Sequence, residues 1–303
     1  MPAVRTFPVI INAVAGRGHT PGELETIHAA FAAAGAKADI RAARRGAEIA
    51  GLAERAVSER HPVIVAGGGD GTLNAVAGIV AGSGLALGVL PLGTLNHFAK
   101  DLGLPLAVED AVATIVANHQ AEVDVGEVNG RVFINNSSLG LYPSLVIARE
   151  RQRRRLGRGK WHAFFWALHT VLRRHPMLDV RLVLDGVPQD RRTPFVFVGN
   201  NEYRVEGFEV GSRERLDAGL LSVYLTRRHG RRALLGLALR ALVGRLHETR
   251  DFEALNAHSI RIATRHETLH VATDGEVTRM RTPLEYRIRP RGLRVVVPAA
   301  GPA

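Results

Sequence analysis

Residues 63–77 read VIVAGGGDGTLNAVA. Val63, Ile64 and Val65 suit a short buried strand, and Leu73, Val76 and Val80 fall on one helical face. Between them lie four glycines and one acid, Asp70. Glycine is placed where backbone turns sharply or approaches something closely. A glycine turn that opens a helix presents free N–H groups and is a natural phosphate seat. The lysine of G-x-x-x-x-G-K-[ST] is absent, and Asn74 stands where G-x-G-x-x-G needs its third glycine. An acid inside a phosphate loop makes sense if it holds Mg²⁺ or a water bound to it. The same residues also make a plain tight turn with Asp70 as a helix cap, and spacing alone leaves both readings open.

A second turn of this kind, PLGTLN, follows some twenty residues later, with Gly93, Thr94 and Asn96. Two adjacent N–H-rich turns suit a chain of phosphates better than one. Near the other end, ATDGEVT carries Asp274 and Glu276 around a D-G hairpin signal. Phosphoryl transfer needs positioned phosphates, Mg²⁺ and a base near the acceptor. Asp274 is a candidate base, although its spacing does not place it in the site. The thirteen histidines form no H-E-x-x-H pattern, and there is no G-x-S-x-G elbow.

The elements that would carry these turns change rhythm along the chain. Up to about Val125, strands and helices alternate: strands at 7–12, 38–41, 63–65 and 85–90, and helices at 21–34 and 47–60. Such alternation implies a parallel sheet with helices on its faces, whose ligands bind beyond the carboxyl ends of the strands. After Val125 the pattern is all-β: 131–137, 179–184, 194–198, 220–225, 259–263, 269–272, 284–288 and 293–297. WHAFFWALHTVLRR and ALLGLALRALVGRL interrupt it as helices. The expected architecture is a parallel-sheet α/β unit at 1–125 and a β-sandwich at 126–303, with the last strand free to return to the first unit.

The chain has 303 residues, a formal charge of +11 and no cysteine. Disulfides and thiolate chemistry are therefore excluded. No 18-residue apolar run reads as a membrane span, and the N-terminus lacks the form of a signal peptide. The charge favours an anionic partner, and RQRRRLGRGK and RRHGRR are its densest clusters. A nucleic-acid partner lacks support from any zinc, RNP-like or basic–aromatic pattern.

Taken in order, GGGDGT, PLGTLN, INAVAGRG, VDVGEVNG, INNSSLGLYPSLV and TDGE resemble the diacylglycerol kinase catalytic-domain family, from about Val9 to Ile288. GGDGT alone is shared with NAD kinases, which keeps a soluble small-molecule kinase as the alternative. The resemblance implies an ATP-dependent lipid kinase acting on a diacylglycerol-like or sphingoid hydroxyl. It implies that Asn12, Gly68, Gly69, Asp70, Gly71, Thr72, Gly93, Thr94 and Asn96 surround ATP. Asp274 would be the base, Glu276 a member of the same site, and Asp70 and Asp124 the acids that organise Mg²⁺. It also implies a cytoplasmic protein that meets an anionic membrane surface peripherally, without nucleic acid, and for which a dimer is possible. Two departures stand out. His97 occupies a position where relatives carry Asp, and in RERLDAGLL, Arg213 and Ala218 stand where acids are expected, leaving Asp217. A second, structural metal is therefore expected to be absent.

Overall fold

The computed structural model describes residues 4–13, 21–140, 143, 177–207, 209–226, 246–247 and 252–299. The basic clusters at 151–160 and 227–232 and the helix expected at 161–174 lie outside these residues, as does nearly all of the one expected at 233–246.

The chain opens with β1 (Thr6–Asn12), α1 (Pro21–Ala33), β2 (Lys37–Ala43), α2 (Gly46–Ser58), β3 (Val63–Gly68), α3 (Asp70–Val80) and β4 (Ala86–Pro91). Short α4 (His97–Asp101) and α5 (Val108–Ala117) follow, then β5 (Gln120–Val128), β6 (Arg131–Phe133) and β7 (Asn136–Gly140). Strands β2-β1-β3-β4 pair in parallel, in that order. Every residue of β3 is buried, as expected for a central parallel strand covered on both faces. Alternate residues of β1 divide between two cores. Val9 and Ile11 pack with Ile27 and Phe31 of α1, and Ile10 packs with Leu73 and Val76 of α3. Full burial of each such side chain contributes about 2 kcal/mol.

The second half supplies β8 (Leu178–Leu184), β9 (Val187–Thr193), β10 (Phe195–Asn200), β11 (Arg204–Gly207), β12 (Glu209–Ser212) and β13 (Leu221–Thr226). It ends with β14 (Leu246–His247), β15 (Phe252–Ala257), β16 (Ser259–Thr264), β17 (Thr268–Thr273), β18 (Glu276–Arg281) and β19 (Leu284–Val296). Among the described residues, β15-β13-β10-β7-β17-β18 form one sheet. It packs on the β19-β16-β8-β9 end of the larger sheet around Phe133, Leu139, Val198, Val223, Ile262 and Tyr286. The α/β unit and the β-sandwich are thus both present.

Strand β19 joins them. It pairs with β16 at Leu284–Arg287, with parallel β4 at Arg294–Val295, and with β5 along nearly its whole length. The sequence pattern predicts two strands here, separated by Pro290 and Gly292. The structure keeps one strand with a register shift between Arg289 and Leu293, and Arg291 takes a left-handed φ of 51°. A bulge absorbs a residue without an N–H that would otherwise break the ladder. Helix α5 and strands β5, β11, β12, β14 and β15 were not expected, nor were strands β9 and β18. The last two are sheet-edge strands rich in polar residues, so hydrophobic alternation does not reveal them.

Candidate active site

The first glycine turn ends β3 and opens α3, with Gly69 as the residue before the helix. The second follows β4 and opens α4, with Asn96 in a left-handed conformation at φ 52°. Because β3 and β4 are parallel neighbours, with Gly68 opposite Pro91, the two turns emerge side by side. They touch backbone to backbone. A Cβ built on Gly93 would lie 2.4 Å from the Gly69 Cα and 3.1 Å from its N. A Cβ on Gly68 would meet the Thr72 side chain at 2.7 Å. Glycine here serves close approach.

Asn96 shapes the second turn. Its Oδ1 accepts from Gly93 N–H at 3.0 Å, and its Nδ2 donates to the carbonyls of Gly93 and Pro91 at 2.9 and 3.2 Å. Both amide protons are thereby engaged inside the turn. Thr94 is exposed, Thr72 is buried, and Gly71 lies in the first turn of α3 with open space around it. Asn12 ends β1, one residue beyond the Ile11–Gly67 register pair, and so flanks Gly68. Asp70 links the two turns, because its Oδ1 accepts from the Phe98 N–H of α4 at 3.3 Å.

Asp274 lies in the two-residue turn between β17 and β18, closed by the Thr273–Glu276 pair. Asp274 and Gly275 have φ values of 46° and 86°, the left-handed pair of a tight hairpin. The hairpin reading therefore holds for this residue. Its Oδ2 accepts from Ile134 N–H at 2.8 Å, and its Oδ1 from Asn135 and Asn136 N–H at 2.9 and 2.8 Å. Burial pushes the carboxyl up to about 6, with the three amides and the Arg213 charge pulling the other way. Of the four lone-pair positions of a carboxylate, the described residues fill three, leaving one on Oδ2.

The other predicted acids have different surroundings. Asp124 is buried, and its oxygens accept from Gly219 N–H at 2.6 Å and Arg291 N–H at 2.8 Å. It clasps the loop before β13 to the bulge of β19. Glu276 is exposed and its carboxylate meets the Arg131 guanidinium at 2.6 Å. Asp217 is also exposed and pairs with Arg215 at 3.1 Å. The described residues contain no group of three or more acids or histidines placed to hold a metal. His97 is half-buried at the start of α4.

Two features escape the sequence reading. One is the amide cradle of residues 134–136, which is backbone and leaves no residue-type signature. The other is the setting of Arg213, marked in the sequence only as standing where an acid is expected: its guanidinium is fully enclosed and paired with Asp101 at 2.8 Å. Its partner is 112 residues away, and no local pattern announces such a pair.

An α/β unit joined through β19 and β5 to a β-sandwich defines a structural class. Solved chains from Bacillus anthracis str. Sterne share this fold. One, a diacylglycerol kinase, superposes with TM-score 0.70 at 22% identity over 98% of both chains. Another reaches TM-score 0.75 at 24% identity, again over 98% of each. The diacylglycerol kinase catalytic domain model matches residues 6–128, and the YegS C-terminal NAD kinase beta sandwich-like domain model matches residues 145–297. The chain belongs to the diacylglycerol kinase catalytic-domain family. Its relatives include the diacylglycerol kinase of Staphylococcus aureus strain MRSA252, 34% identical over 134 residues, 44% of this chain and 42% of that protein. The diacylglycerol kinase of Staphylococcus haemolyticus strain JCSC1435 is also 34% identical over 134 residues, 44% of this chain and 41% of that one. The chain thus matches less than half the length of these curated relatives.

Proposed function

We propose that this chain is an ATP-dependent lipid kinase that phosphorylates a hydroxyl of a diacylglycerol-like or sphingoid lipid. The observation that carries the reading is Asp274: a carboxyl with one open lone pair, held by three amides, and pushed up to about 6. A base with its pKa near the working pH combines the right protonation state with a useful proton affinity. Family membership supports the same reading.

The glycine turns would suit a polyphosphate, because their close approach sets the starts of α3 and α4 side by side. Gly68, Gly69, Gly71, Thr72, Gly93 and Thr94 would line the phosphates, with Asn12 beside Gly68 and Asn96 holding the second turn in shape. Among the described residues Asp70 reaches only one N–H, at 3.3 Å, which would leave carboxylate capacity for Mg²⁺. Bound there, Mg²⁺ would spread the charge of the transferring phosphoryl group. Asp124 would act from behind, through the loop and bulge that it clasps, and Glu276 would act through Arg131. The lipid O–H donates its proton to Asp274 Oδ2, the oxygen forms a bond to the γ-phosphorus, and the bond to the ADP oxygen breaks.

The lipid would be drawn from an anionic bilayer surface by a cytoplasmic, peripherally attached protein. The net charge of +11 favours such a surface, and no helix among the described residues is long and apolar enough to cross a membrane. The test is turnover of labelled ATP over a panel of dioctanoylglycerol, monoacylglycerol, sphingosine, a polyisoprenol and NAD, with Asp274→Asn beside the wild type. Lipid phosphorylation lowered about 100-fold or more by the substitution is expected, the usual scale for a removed general base. Full activity of the variant, or phosphorylation of NAD alone, would overturn the reading.

A further inference from the structure

Arg213 is 5% exposed, and its guanidinium has no exposed surface at all. A buried cation persists only where partners replace its water. Its partners come from three parts of the chain. Nε donates to Asp101 Oδ2 at 2.8 Å, on α4. Nη1 donates to the Ile134 carbonyl at 2.7 Å and to the Asn200 carbonyl at 3.2 Å. Nη2 donates to Asn135 Oδ1 at 2.8 Å. The Tyr203 ring lies under the guanidinium, 5.3 Å from its centroid.

The Ile134 carbonyl and the Asn135 N–H belong to one peptide unit. Arg213 binds its oxygen, and its N–H donates to Asp274 Oδ1 at 2.9 Å. Hydrogen bonds at the two ends of a peptide polarise and orient each other. In the other direction, Asp101 closes the helix whose second residue, Phe98, donates to Asp70. A continuous line therefore runs from Asp70 through α4, Asp101, Arg213 and one peptide to Asp274. The charged and titratable groups around it are Asp101, Asp274, Tyr203 and, beside Asp101, His97.

We propose that Arg213 is a positioning residue for phosphoryl transfer. Through one peptide it sets the amide that grips Asp274, and through Asp101 it ties that grip to the helix after the second glycine turn. It touches neither nucleotide nor lipid, and it fixes the distance between the phosphate seat and the base. The inference rests on Asp274 as the base.

The experiment uses the full chain and the panel lipid that turns over fastest. Three variants are compared with wild type: Arg213→Lys, Asp101→Asn/Arg213→Met, and Asp274→Asn. The double change removes both buried charges together, so neither is left unpaired. Lys retains the charge but lacks the planar fork that reaches Asp101, the Ile134 carbonyl and Asn135 Oδ1 from three separate nitrogens. Expected are kcat losses of about tenfold for Arg213→Lys and about 100-fold for the double variant, with KM for ATP and lipid within about twofold. The acidic limb of the pH–rate profile moves to higher pH in the double variant, because the cation that favours ionised Asp274 is gone. Wild-type kcat and acidic limb in Arg213→Lys overturn the proposal, whether or not the double variant folds, and so does a loss confined to KM. If Asp274→Asn keeps the wild-type rate, the base assignment itself has failed. If Asp274→Asn is inactive while Arg213→Lys is unaffected, only the positioning role has failed.

Discussion

Replacing Gly93 by Ala tests whether the two glycine turns are in contact by design. The added Cβ would sit 2.4 Å from the Gly69 Cα, 2.7 Å from Asn96 Oδ1 and 3.1 Å from Gly69 N. Carbon atoms rest at about 3.5–4.0 Å, so the turns must part by roughly 1 Å or more. Parting also strains the Asn96 bond to the Gly93 N–H, at 3.0 Å. Overpacking of this kind costs about 1–3 kcal/mol, which lowers the melting temperature by roughly 5 °C. A displacement of about 1 Å in groups that align phosphates costs about 100-fold in kcat/KM. The assay is thermal melting together with ATP-dependent turnover. Gly51→Ala serves as the control. Gly51 is an exposed residue of α2 with nothing within 4 Å of a built Cβ. Alanine there should raise stability by about 1 kcal/mol and leave turnover alone. Wild-type melting and wild-type kcat/KM for Gly93→Ala would refute the contact argument.

The rate should depend on pH through Asp274. Its carboxyl is pushed up to about 6, so kcat/KM should fall about tenfold per pH unit below that point and level off above it; a flat profile from pH 5 to 7 counts against the base. The same shift has a stability consequence of opposite sense. A carboxyl raised in the folded state favours folding fully below its unfolded value near 4, and that contribution is lost as pH rises through about 6; comparing wild type with Asp274→Asn by thermal melting across pH 4–7.5 isolates it. Asp124→Ala leaves the Gly219 and Arg291 amides without their acceptor and should cost about 3 kcal/mol in urea unfolding; an unchanged midpoint would show that the clasp is dispensable.

The amino-acid order by itself determined much of this protein. Val63–Val65 running into glycines suits a covered strand meeting a turn, because that apolar run has no polar face to turn toward water. The alternating first half and the β-rich second half follow from the same periodicities. The D-G pair fixed its own hairpin, since few other residues accept two successive left-handed conformations. Tertiary structure decided what those local pieces do together. Asp274 becomes a poised carboxyl only because Ile134, Asn135 and Asn136, some 140 residues earlier, present their amides to it. Asp124, expected from the family resemblance to organise metal, is drawn into a clasp by loops that no spacing rule connects. Asn96 turns inward onto its own backbone. Arg213 reads in sequence as a cation where the family resemblance expects an acid, and in space as the ion buried between α4 and the amide cradle. Hydrophobic periodicity is a local signal, written within one element. Burial, hydrogen-bond partnership and the electrostatics they create depend on which distant segments the sheets bring side by side, and only the folded chain specifies that.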